Sequence, residues 1–355
     1  MEHENADELT LELLNYLKSI QNADGSFDTL CLQPAHRPLE GWFRYFGNAP
    51  HDVAQTGIPL LFLRHPLAED IIKNINSFIL RQSLDGLLWR YPCEGNHDVV
   101  PYDTDSVSLC SYFLEKQGYE VRNKKFLLSL ITDENYFPFY IYPKRFSPHL
   151  PLLTNLKLWW FNRKVPRSTN YVNKGLALTD AEFCSTCVNL MYLGDEESAK
   201  SVWERIHRDF REMDIKYLYY IDHYRAFYFY ARLYGYNKNY PVTSDVQTVS
   251  NWVNHLYGHG ALNAMDAVLL ANGMLLFNYT PDILKSLTKH IFTYIHNKEY
   301  RKPYPFYSSN AVTDYDPMSG KPHSYFGSPA ITTALFLEFL RLYKSYTDNK
   351  NNFTG

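Results

Sequence analysis

The sequence predicts an all-α protein, an (α/α)6 toroid of six outer and six inner helices. Three observations carry that prediction. Amphipathic segments alternate along the chain with segments that are apolar nearly all round. The first kind belongs on the outside of a fold and the second inside it. Five of the six apolar segments open on or near an aspartate: Asp52, Asp103, Asp180, Asp222 and Asp266. Their spacing, roughly 40–80 residues, is that of repeats that must stack to bury a core. Strand signals are sparse.

Leu9 to Ile20 reads as the first outer helix, with Leu13, Leu17 and Ile20 on its apolar face. It ends in Gln21-Asn-Ala-Asp24-Gly25-Ser-Phe27, an Asp-Gly turn. An aromatic loop around Trp42 leads to the inner helix opened by Asp52. Asp70 to Ile79 repeats the outer pattern and closes on Gln82-Ser-Leu-Asp85-Gly86-Leu-Leu-Trp89. The inner helix at Asp103 follows, then an outer candidate from Arg122 to Ile131. After an insert come the inner helix at Asp180, the charged outer helix Glu196 to Glu212, and the aromatic inner helix Asp222 to Leu233. Val242 to Leu256 and Pro281 to His296 are outer, and Asp266 to Phe277 is inner. Pro281 suits a first helical turn, where its missing N–H is no loss. Ser328-Pro329 opens the last inner helix, Ala330 to Leu342. One domain therefore spans 1–345, with an insert at 135–179 and a polar tail at 346–355. In such an arrangement the inner-helix N-termini share one mouth, lined by carboxylates above an aromatic cavity.

The 355 residues carry a formal net charge of -3. That gives no overall attraction to nucleic acid. Five cysteines, odd in number, read as free thiols in a reducing compartment. The acidic N-terminus does not read as a signal peptide, and no window is long and apolar enough to span a bilayer. The expected location is cytoplasmic, with peripheral membrane contact as the variant. The insert motivates that variant: residues 135–179 hold seven bases and no Asp or Glu, interleaved with Pro and aromatics. A lid, an anionic-ligand site, a membrane-surface foot and an ordinary packed insertion all fit it.

Val100-Pro101-Tyr102-Asp103-Thr104-Asp105-Ser106 holds two carboxylates two residues apart, where a loop becomes an apolar helix. Asp103 suits an N-cap and Asp105 the first turn, so plain capping explains both. A neighbouring carboxylate and burial would instead raise a pKa of the pair and keep a proton on it. Glu94, His97 and Asp98 with Asp103 and Asp105 form an acidic group that could take Mg²⁺, the one cofactor the sequence leaves open. Cys184-x-x-Cys187 has no second pair and reads as two core cysteines, with half a metal site as the alternative.

The helical repeats, the two Gln-x-x-Asp-Gly turns and the Asp103-Thr-Asp105-Ser106 stretch together resemble the terpenoid cyclase and protein prenyltransferase superfamily. The turns are similar to that family's Gln-to-Trp repeat. The aspartate stretch resembles the Asp-x-Asp-Asp motif of its class II cyclases, with Ser106 where the last Asp stands. The resemblance implies acid-catalysed cyclisation of an isoprenoid, a small apolar substrate, with Asp105 as proton donor and Asp103 holding it. It also implies aromatic faces for a cationic intermediate; Trp42, Trp89, Tyr102, Tyr224 and Tyr228 are the substrate-binding expectations. No metal site carries over. Two other functions stay open: isoprenyl or other group transfer with a diphosphate at the helix N-termini and the basic insert, and a non-catalytic toroid that binds a ligand or peptide.

Overall fold

A computed structural model describes residues 6–32, 43–91, 101–142, 145–164, 182–194, 197–215, 220, 222–236, 245–258, 262–308, 315–316, 321–322 and 325–352. Among these the chain is mostly helical. The helices are α1 Ala6–Ser19, α2 Pro50–Leu60, α3 Pro66–Arg81, α4 Thr104–Lys116, α5 Lys124–Leu128, α6 Leu152–Lys164 and α7 Phe183–Leu193. After them come α8 Lys200–Glu212, α9 His223–Tyr236, α10 Val246–Gly258, α11 Ala264–Leu276, α12 Asp282–His296 and α13 Pro329–Asn352. Trp42 and Asp180 lie outside the described residues.

Burial separates two kinds of helix, as the alternation of apolar and amphipathic segments requires. Every residue of α2 and α7 is buried, as is α4 from Thr104 to Leu114. In contrast, α1 buries Leu13, Leu14 and Leu17, and α12 buries Leu284, Leu287, Thr288, Ile291 and Ile295, one stripe each. The buried helices pack in chain order: α2 on α4, α4 on α7, α7 on α9, α9 on α11 and α11 on α13. The last, α13, packs against the first, α2. Close approach is built in by glycine. A Cβ on Gly57 of α2 would stand 2.5 Å from the ring of Phe113, and one on Gly273 of α11 the same distance from Phe227.

The two Asp-Gly turns work as connectors between layers. Gly25, at φ +89°, lies so close to Asn74 of α3 that a Cβ would meet its carbonyl oxygen at 2.1 Å. The Gln21 amide donates to Ile71 O at 3.1 Å, and Asn74 donates to Gln21 at 3.0 Å. In the second turn Trp89 is fully buried and its indole N–H donates to Ile79 O at 2.8 Å.

Several boundaries move. The expected helix from Arg122 to Ile131 is shorter, Lys124–Leu128. The third buried helix starts at Phe183 with Glu182 as its N-cap residue, and in α11 the cap is Asn263, which accepts from Asp266 N, so Asp266 sits inside the first turn. The last helix continues to Asn352, through most of the expected tail. The insert contributes α6. A small antiparallel sheet is the feature the sequence did not signal. Its order is β2–β1–β6–β3, with β1 Thr29–Leu32, β2 Phe43–Gly47, β3 Tyr307–Ser308 and β6 Tyr325–Gly327. Two further short strands, β4 Tyr315–Asp316 and β5 Lys321–Pro322, pair with each other. In the register of β1 with β6, Leu30 faces Gly327 and Cys31 faces Phe326, so the two ends of the sequence are stitched together.

Candidate functional site

The N-terminal ends of α2, α4 and α7 meet in one buried polar cluster beside that sheet. Asp103 has extended backbone geometry and caps α4, accepting from Ser106 N at 2.8 Å. Its other oxygen accepts from Tyr91 N at 3.0 Å. Asp105, in the first turn of α4, shares the Ser106 N–H at 2.9 Å and accepts from the Ser185 hydroxyl of α7 at 3.1 Å. Glu182 accepts from the same Ser185 hydroxyl at 2.7 Å and from Tyr220 N at 2.7 Å. Asp52, in the first turn of α2, accepts from the Tyr91 hydroxyl at 3.0 Å and from the Thr29 hydroxyl.

His51 stands between these acids. Its Nδ1 lies 3.3 Å from Asp52 and 3.2 Å from the Tyr307 hydroxyl, and its Nε2 lies 3.3 Å from the Tyr220 hydroxyl and 3.6 Å from Asp105 Oδ2. The imidazole thus spans from one carboxylate to the other. His51, Asp52, Asp103, Asp105 and Glu182 are each at most 3 % exposed. The rings of Tyr220 and Tyr307 pack edge to face over them, 5.1 Å apart.

Crowding four carboxyls into a dry site forces protons onto it. Burial raises the Asp103 carboxyl well above the ordinary range, and the adjacent Asp105 adds to the shift, against the Ser106 hydrogen bond. Burial pulls His51 the other way, but its hydrogen bond to Asp52 and the charges of Asp105, Asp52 and Glu182 together leave it raised. Three helix N-termini point positive dipole ends at the carboxylates and offset part of the repulsion. The arrangement can hold a neutral carboxylic acid and a charged imidazole side by side, away from water.

The sequence singled out Asp103 and Asp105, and the structure brings them together with His51, Asp52 and Glu182. The expected aromatics are engaged elsewhere. Tyr102 packs on Phe161 at 5.2 Å, Tyr224 donates to Leu256 O at 2.8 Å, and Tyr228 donates to Glu338 at 2.6 Å. The rings in hydrogen-bond contact with the acids are Tyr91 and Tyr220, and Tyr307 reaches them through His51. Sequence reasoning missed His51, Glu182, Tyr91 and Tyr307. One signal was available for Glu182: Asp180-x-Glu182 repeats the two-residue carboxyl spacing of Asp103-x-Asp105. Tyr307 came from a two-residue strand with no local signature.

The remaining helix ends are tied to the same region. Arg225 of α9 donates to Asp222 at 2.7 Å, to Asp266 of α11 at 2.8 Å and to Pro305 O. Ser328, before α13, donates to Asp28 O at 2.8 Å, one residue from Thr29. Glu94, His97 and Asp98 lie outside the described residues; among the described ones no three His, Cys, Asp or Glu side chains are arranged to hold a metal ion. Cys184 and Cys187 are buried in α7, where burial pushes both thiols well up and keeps them protonated. No family model matches this chain, and no curated protein matches it.

Proposed function

We propose that the chain is a closed (α/α)6 toroid acting as an acid-catalysed cyclase on an isoprenoid. The closed packing order of the six buried helices, last against first, supports the toroid. One observation carries the chemistry: a dry Asp103–Asp105 pair in which burial and the adjacent carboxyl raise Asp103 well above the ordinary carboxyl range. Protonating an alkene breaks the acid O–H bond, forms a C–H bond at one alkene carbon and leaves positive charge on the other. Ring closure follows, and loss of a proton to a base ends the sequence, so no redox partner is needed. Asp105 is the donor in this reading: the pair shares one proton, which burial and the neighbouring carboxyl keep on Asp103 and which passes to Asp105 for delivery. The Asp52–His51–Asp105 chain then returns a proton to it. Tyr220 and Tyr307 present ring surface to developing cation.

A diphosphate-transfer reading gains nothing from four carboxyls at the helix ends, which would repel that group. A ligand-binding toroid with a purely structural cluster is the second reading, and the coverage of Asp105 by Tyr220 and Tyr307 favours it.

The test is product formation from squalene, farnesyl and geranylgeranyl substrates, read by mass spectrometry. Wild type should yield cyclic product without added metal, and Asp105→Asn should lose activity by ~10²–10⁴-fold or more with an unchanged fold. No cyclic product from folded wild type, or full activity in Asp105→Asn, would select the binding reading.

A further inference from the structure

We infer that the outer face of α6 docks on the surface of an anionic lipid bilayer. This helix turns one apolar side chain, Leu158, and two polar ones inward. The residues it buries include Thr154, whose hydroxyl donates to Asp85 at 2.9 Å, and Asn155, whose amide donates to Ser147 O at 2.9 Å. The residues it turns to solvent are Leu152, Leu153, Leu156, Trp159 and Trp160, each 43–68 % exposed. Five large apolar side chains on one short helix make a contiguous patch of the kind that marks a binding surface.

Charge decides what binds there. The segment 135–179 has no Asp or Glu. Among its described bases, Lys157 is taken by an ion pair with Asp85, while Arg145, Arg163 and Lys164 are exposed. Arg163 lies over the ring of Trp159 at 4.4 Å and Lys164 over Trp160 at 5.8 Å. Their charged heads lie against the exposed indole faces, which places positive charge on the apolar patch itself. Tryptophan beside leucine suits the boundary between headgroups and acyl chains, and the bases suit acidic headgroups. No described helix is long and apolar enough to cross a membrane, so the contact is a face laid on the surface. The inference is independent of the catalytic reading, because it is tested by binding alone.

The experiment is flotation of the full chain with phosphatidylcholine vesicles, with and without phosphatidylserine, at low and at about 0.5 M salt. Wild type should float with the serine-containing vesicles at low salt and dissociate at high salt. Arg163→Glu/Lys164→Glu should lower that partitioning by more than tenfold, since each base near such a surface is worth about fivefold. Leu153→Glu/Trp160→Glu should abolish it. Both pairs are at exposed positions, so their melts should match wild type, and brominated acyl chains should quench Trp159 and Trp160 emission in wild type. Absence of flotation at low salt overturns the inference, as does binding that survives both double variants. So does a concentration-dependent dimer, without lipid binding, that Leu153→Glu/Trp160→Glu dissolves; the face would then be a contact between copies.

Discussion

Arg232 and Glu338 form a charged axle through the helical core, and breaking it should reveal how the buried helices hold each other. Both residues are fully buried. Tyr228 and Tyr236 link them: each gives its hydroxyl to Glu338, and each ring lies 5.6 Å from the Arg232 guanidinium. Arg232 also donates to Gln55 of α2 at 3.0 Å, and Asn272 of α11 donates to Glu338 at 3.3 Å. Four of the buried helices therefore share one polar network. Arg232→Met removes the fully buried cation of that network, with Arg341 still donating to the Tyr236 hydroxyl at 3.4 Å, and deprives the Glu338 carboxylate of a buried counter-charge, a loss of the kind that costs about 3–5 kcal/mol. Glu338→Gln keeps the shape, leaves the guanidinium unbalanced, and should cost a similar amount. The double variant removes both charges, so its loss should fall short of the sum by about 2–3 kcal/mol. The assay is urea unfolding followed by circular dichroism, one variant at a time. Additive losses, or a loss below about 1 kcal/mol for Arg232→Met, would show that the two charges do not stabilise each other.

Two further outcomes follow from the same geometry. Asp103 and His51 bind protons more tightly folded than unfolded, so stability should fall as pH rises. The Asp103 contribution declines from about pH 4 upward and the His51 contribution from about pH 6.5 upward, each until its raised folded value is passed, with a slope of at most about 1.4 kcal/mol per pH unit for each proton. Melts of wild type beside Asp103→Asn and His51→Gln across that range should show the slope flattened in the variants; an unchanged slope would remove these groups as its cause. Gly57→Ala and Gly273→Ala should each destabilise by about 1–3 kcal/mol, because the new methyl meets a buried phenylalanine ring and overpacking outweighs the helix-propensity gain of about 1 kcal/mol. Gly258→Ala, with open space around it, is the control and should be neutral or mildly stabilising.

What was legible in the sequence is what local pattern controls. The saturated apolar runs of α2, α4, α7 and α11 announced buried helices, because a helix without a polar face has nowhere else to go. Asp103 announced itself as a cap, since an N-cap is a short-range arrangement. What was not legible depends on residues far apart. The sheet joins Cys31 to Phe326 through strands too short to alternate visibly. His51, Tyr220 and Tyr307 assemble a site from three separated segments, with no spacing to betray it. Arg232 and Glu338 carry charge, and charge read residue by residue suggests surface, although both lie in the core. The aromatic expectations failed to converge for a related reason. A buried aromatic meets its own packing and hydrogen-bonding needs first, as Trp89 does by donating to Ile79 O and Tyr228 by donating to Glu338.

The claim beneath the proposed chemistry is that the Asp103–Asp105 pair keeps a proton at neutral pH. Difference infrared spectroscopy of wild type against Asp103→Asn and Asp105→Asn reads it directly, through the carbonyl stretch of a protonated carboxyl. The account predicts such a band in wild type at pH 7, shielded from rapid deuterium exchange and lost in Asp103→Asn. A wild-type spectrum with no protonated-carboxyl band at pH 7 would contradict it and leave the two aspartates as helix caps.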